Sequence, residues 1–131
     1  MNVNEILTKA LTDLANLKDI LESQLAASAE ATAKRDRACL NLGARQIQVD
    51  NEIRQNAETS GEKKPTEVAI GNQVAIAVLK DRQEILELEM ECRKALNQLE
   101  LTRFAIEIKR LEIKTHLPHA QQIVNLTSPV A

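Results

Sequence analysis

From Asn2 to Asn56 the chain contains no proline and no cluster of turn-forming residues, and from Thr66 to Leu117 it again contains no proline. Ordinary strands run to about 3–10 residues, so helix is the regular structure that can occupy stretches of this length. Between them lies the segment AETSGEKKPT, residues 57–66, where Ser60-Gly61 and Pro65 remove all apolar periodicity and mark a loop. The expectation is an all-α fold, a long antiparallel helical hairpin of coiled-coil type assembled into a multi-helix bundle. One domain, 1–131, would hold helix one over about 3–57, a loop at 58–65, helix two over about 66–117 and a tail at 118–131. Pro118 would end helix two, because the residue before a proline is pushed out of the helical region.

Local signals agree with this division. Asn2 followed by Glu5 is an Asn-headed form of the capping box, and Thr66 with Glu67 beside it, or Pro65 at a first-turn position, can open the second helix. In helix one, Leu7, Leu11, Leu14, Leu21, Leu25, Cys39, Leu42, Val49 and Ile53 recur at spacings of three and four, which makes one helical stripe. Lys18, Ser28, Thr32 and Arg35 interrupt it, so a bend or break between Ala26 and Arg37 is the weak point of this helix. In helix two the stripe is Val74, Val78, Ile85, Leu88, Cys92, Ala95, Leu99, Ile106 and Ile113, interrupted by Asp81, Thr102 and Lys109. A strand pattern competes over Leu99–Ile113, but no turn sequence is present there to fold it into a hairpin.

Charge is sorted along the chain and selects the direction of the second helix. Residues 5–30 carry two basic and five acidic side chains, net −3, and residues 31–57 five and three, net +2. Residues 67–91 carry two and six, net −4, and residues 92–116 six and three, net +3. Only an antiparallel hairpin sets opposite signs against each other, which selects orientation although each exposed pair contributes at most about 1 kcal/mol. Arg35 and Asp81, both on the seam, are the candidates for a pair across it.

Helix two carries more apolar surface than one partner can hide. Leu101, Phe104, Ile108 and Leu111 form a second stripe nearly opposite Leu99, Ile106 and Ile113, and a helix apolar on two sides needs several neighbours. Ile123, Val124, Leu126 and Val130 of the tail are too few to cover it, so these four residues are the expected interface, with another copy of the chain as the expected cover.

Catalytic chemistry finds no foothold. The 131 residues include two His, one Phe, no Tyr and no Trp, so a nucleophile–base pair and an aromatic stacking platform both lack material. His116 and His119 flank Pro118 without a carboxylate or Cys beside them, and His116 reads as a cation at a helix C-terminus. Cys39 and Cys92 lie in apolar-periodic segments and read as small buried hydrophobes. Glu84, Glu87, Glu89 and Glu91 read as a solvated helix face, and no glycine-rich phosphate loop is present.

A net charge of −2 argues against recruitment to nucleic acid, and the basic groups Lys34, Arg35, Arg37 and Lys109, Arg110, Lys114 read as partners for acidic segments. Asn125-Leu126-Thr127 matches the glycosylation triplet and reads as a chance match, since Met1–Lys9 lacks the basic-then-apolar pattern expected of a secretory signal. No membrane span, metal or cofactor is expected, and the setting is the cytoplasm or a soluble assembly. The chain therefore reads as a non-enzymatic structural or assembly protein, an oligomeric helical scaffold or adaptor within a larger complex that binds protein partners. The second reading is a small binding regulator or inhibitor that occupies a partner protein's surface.

Overall fold

The computed structural model describes residues 2–61 and 63–127, with side chains through residue 117. There are three helices among the described residues, α1 (Val3–Ser60), α2 (Glu67–Ala77) and α3 (Leu79–Thr127). Among the described residues there is no strand, and α1 packs against α3 as a helical hairpin. The chain divides into two compact units, residues 1–28 with 95–131 and residues 29–94.

The helix ends follow the capping residues. Asn2 Oδ1 accepts the Glu5 backbone N–H at 2.8 Å, satisfying one of the four orphan donors of the first turn. α1 is continuous through Ala26–Arg37 and runs to Ser60, slightly past the expected end. The Thr59 hydroxyl donates to the Gln55 carbonyl at 2.8 Å and Ser60 Oγ to the Ala57 carbonyl at 3.3 Å. Gly61, at φ 67°, then takes the left-handed conformation that commonly closes a helix and that side chains with a Cβ resist. Thr66 is the cap of α2, its Oγ1 accepting the Ala69 N–H at 3.1 Å.

Helix two departs from expectation at two places. Val78 leaves helical geometry with φ −101° and ψ 8° and separates α2 from α3. The hydrogen-bond path nevertheless continues through it, from Val78 N–H to the Val74 carbonyl at 3.1 Å and from Arg82 N–H to the Val78 carbonyl at 3.0 Å. Val78 is fully buried, at 0% exposure, and its branched side chain has few rotamers with which to adjust. The second departure is Pro118, which does not stop the helix: α3 runs to Thr127. A proline forfeits one backbone bond and crowds one carbonyl, a local cost of about 3 kcal/mol. Good helix formers on its far side, Ala120, Gln121 and Gln122, let the helix resume. The expected tail is thus helical over 118–127, and residues 128–131 lie outside the described residues.

In the unit built from residues 1–28 and 95–131, the α3 seam is as expected, with Leu99, Thr102 and Ile106 buried and Lys109 and Ile113 half-buried. The Thr102 hydroxyl is satisfied within its own helix by the Gln98 carbonyl at 3.1 Å. The α1 side uses a different line. Leu7, Leu14 and Leu21 face inward as expected, but Ala10, 2% exposed, replaces Leu11, 55% exposed. Leu17 and Gln24 likewise turn inward in place of Lys18 and Leu25. Moving this line back by one residue puts the Lys18 ammonium in water, where burying it would cost far more than exposing two leucines. One cost is visible, since Gln24 Oε1 is buried without a hydrogen-bond partner.

In the unit of residues 29–94, Ile70, Val78, Ile85 and Cys92 are buried, against a half-buried α1 line of Ala31, Arg35, Ala38, Leu42, Gln46, Val49 and Ile53. The line takes two successive four-residue steps at Ala38, Leu42 and Gln46, a stutter that carries it onto the expected positions. Before that step Cys39 is exposed, contrary to its expected burial, because Ala38 holds the inward place. Arg45 meets Asp81 at 2.9 Å and Arg54 meets Glu67 at 2.8 Å. Partner numbers fall as α1 numbers rise, which is the antiparallel sense. The expected Arg35–Asp81 pair is not formed: Arg35 binds the adjacent Asp36 at 3.1 Å, and the register gives Asp81 to Arg45.

Two measurements check this register. In a double-mutant cycle, Arg45→Ala and Asp81→Ala should show a coupling of a few tenths to about 1 kcal/mol, while Arg35→Ala and Asp81→Ala should be additive. Hydrogen bonds from Arg54 hold the Glu67 carboxyl below its ordinary value. The stabilisation from a depressed carboxyl is complete above its ordinary pKa and is lost as pH falls through the lowered one. In Arg54→Ala, NMR titration of Glu67 should move up to the ordinary glutamate range, and an unmoved titration would contradict the pairing.

Candidate interaction surface

Leu101, Phe104, Ile108 and Leu111 occupy one face of α3, and each is exposed, at 70, 66, 49 and 62% respectively. Leu99, Ile106 and Ile113 lie on the other side of the same helix and turn toward α1. The separation follows from 3.6 residues per turn, which carries positions 99, 106 and 113 to one side and 101, 104, 108 and 111 to the other. A single partner helix covers one such line. Phe104, the only aromatic residue of the chain, is in water on the line left over.

The charges beside this face are partly committed. Lys109 reaches Glu112 at 3.0 Å and Asp13 of α1 at 3.2 Å, and these hydrogen bonds, the one to Glu112 first, raise its ammonium above the ordinary lysine value. Arg110 pairs with Glu107 at 2.9 Å. Among the described residues, neither Glu100 nor Lys114 has an ion-pair partner. In the other basic group, Lys34 lies 3.7 Å from Glu30 and Arg35 binds Asp36. Both groups are thus largely matched by acids of the same chain.

The unit of residues 29–94 has exposed apolar side chains of its own at Ile76, Leu79, Leu86 and Met90. Sequence reasoning missed them, although Ile76 and Leu79, then Leu86 and Met90, stand at helical spacings of three and four. The interruption at Arg82-Gln83 hid the pattern. Leu40 and Ile47 of α1 are also exposed, at positions outside the expected seam.

Other candidate chemistry finds no assembled centre. No group of three or more potential metal ligands occurs among the described residues. His116 is half-buried inside α3 and not at a helix terminus, so it does not serve as the expected C-terminal cap. The side chain of His119 lies outside the described residues. Glu84, Glu87, Glu89 and Glu91 are all exposed, as a solvated face requires. Among the described residues no helix is long and apolar enough to cross a membrane. Comparison with protein-family models, curated proteins and solved structures finds no match to this chain.

The two faces of α3 should respond differently to charge. Ile106→Glu places a carboxylate on the buried seam and should destabilise the fold by several kcal/mol. Ile108→Glu should change the stability of the isolated chain by about 0.5 kcal/mol or less. Thermal unfolding followed by circular dichroism at low protein concentration separates them, and equal losses would mean the outer face is covered within the chain.

Proposed function

We propose that this chain is a non-enzymatic structural or assembly protein, a helical hairpin that serves as an oligomeric scaffold or adaptor within a larger complex. The observation that carries this reading is the exposed line Leu101, Phe104, Ile108 and Leu111 opposite the buried seam of α3. Contiguous apolar surface of this kind in water favours association, since removing it from solvent contributes about 25 cal/mol per Å². Binding would proceed by helix-to-helix packing, with leucine, isoleucine and one phenylalanine entering grooves of a partner protein.

Two further features fit an assembly role. Four of the six residues in the two basic groups, Lys34, Arg35, Lys109 and Arg110, pair with acids of the same chain, which weakens those groups as a site for phosphate backbones. The exposed Cys39 and buried Cys92 are free thiols, at home in a reducing cytoplasm or in a soluble assembly kept reduced.

Fractionation of extract from the native source by size tests the proposal. The chain should be found only in a particle larger than its own oligomer, and Ile108→Glu with Phe104→Glu should release it while leaving its helix content unchanged. A free, stable oligomer that binds a single protein in fixed ratio would replace this reading with that of a binding regulator. A free monomer throughout would overturn both.

A further inference from the structure

Resting on the assembly reading, we infer that the outer face of α3 docks antiparallel on the same face of a second copy of this chain, about a twofold axis between Phe104 and Ile108. The first argument is the register of the line itself. Leu101 and Leu111 are equally far from the midpoint of the line, as are Phe104 and Ile108. Two such lines running in opposite directions place Leu101 against Leu111 of the second copy and Phe104 against its Ile108. That gives four apolar layers of the isologous kind a twofold axis generates. The three- and four-residue spacings match the alternating layers of paired helices.

The second argument is charge. In antiparallel pairing the flanking positions that follow this line bring Glu100 of one copy to Lys114 of the other, twice by symmetry. Glu100 and Lys114 are both exposed, and neither has an ion-pair partner among the described residues. The two Glu107 side chains approach each other near the axis, and Arg110, 2.9 Å from Glu107 in the same chain, offsets their repulsion. A parallel pairing of the same faces instead sets Glu107 against Glu112 of the second copy on both sides and leaves Glu100 opposite Ala105. Like charges across a helix pair select against that orientation. Glu107 keeps Arg110 and Glu112 keeps Lys109 in either orientation, so the deciding difference is the two Glu100–Lys114 pairs, which only the antiparallel arrangement forms.

Cysteine cross-linking of the full chain in a Cys39→Ser background tests the orientation. Leu101→Cys and Leu111→Cys, oxidised separately, should give little disulfide dimer, because like positions lie ten residues apart along the helix, about 15 Å, beyond the reach of a disulfide at about 7 Å between Cα atoms. Mixed before oxidation, the two variants should cross-link efficiently. Lys114→Glu should weaken dimerisation measured by light scattering by roughly tenfold, as expected of two exposed pairs turned repulsive. Adding Glu100→Lys should restore it, with circular dichroism verifying the fold of each variant.

Cross-linking of Leu101→Cys to itself as readily as to Leu111→Cys would overturn the antiparallel arrangement. A one-chain mass at all concentrations, with no cross-link in any mixture, would overturn self-docking altogether. In that case the assembly reading survives if the chain still fractionates in a larger particle that Ile108→Glu and Phe104→Glu release. Conversely, cross-linking as expected with no larger particle in the native source would retain the dimer and remove the scaffold role.

Discussion

A helix paired with one other helix can hide only one line of side chains, and α3 carries two. That constraint organises the molecule. The line chosen for burial contains Ile85, Cys92, Leu99 and Ile106, branched or compact side chains that fit against the narrow line of α1. The line left outside holds Leu101, Phe104, Ile108 and Leu111. Its exposure is a consequence of the same packing that makes the hairpin stable, so fold and candidate function share one cause.

Small residues set how closely the helices meet. Ala10 is the one fully buried residue of α1, and Ala31 and Ala38 take equivalent inward positions in the other unit. Alanine buries little area of its own, but it permits the close approach that lets the larger side chains of α3 lose their water. Leucine at Leu11 or Leu25 would bury more area per residue, and the seam through them would also bury Lys18. Desolvating an ammonium without a close partner outweighs a few methylene groups, and the line shifts.

Polar groups on the seam define its register more than its stability. Asp81 takes Arg45, and Lys109 takes Asp13 and Glu112. Each group is partly exposed, so each contributes modestly. A slip of one heptad would break Asp81–Arg45 and Lys109–Asp13 while leaving Lys109–Glu112 within α3, and apolar layers alone do not discriminate well between neighbouring registers. Thr102 is different in kind, because its hydroxyl is satisfied inside its own helix by Gln98 and makes no demand on α1.

Much of this was legible in the residues. The all-α class, the cap at Asn2, the loop around Gly61, the cap at Thr66, the whole α3 seam and the exposed outer line all follow from breakers, caps and three-four spacing. These are local properties of a single helix. The inward line of α1 was not legible, since Ala10 and Leu11, or Leu17 and Lys18, are adjacent, and only the partner's surface decides which points inward. The same holds for Cys39, for the choice of Arg45 over Arg35 as the partner of Asp81, and for the departure at Val78, a residue whose burial overrides its backbone geometry. Passage of the helix through Pro118 turned on the balance between one lost hydrogen bond and the helix formers beyond it. By itself the sequence determined the all-α class, the helix starts at Asn2 and Thr66, and the two apolar lines of α3 that each claim a partner. Tertiary structure decided register and the buried line of α1, because those depend on which side chains meet across the gap.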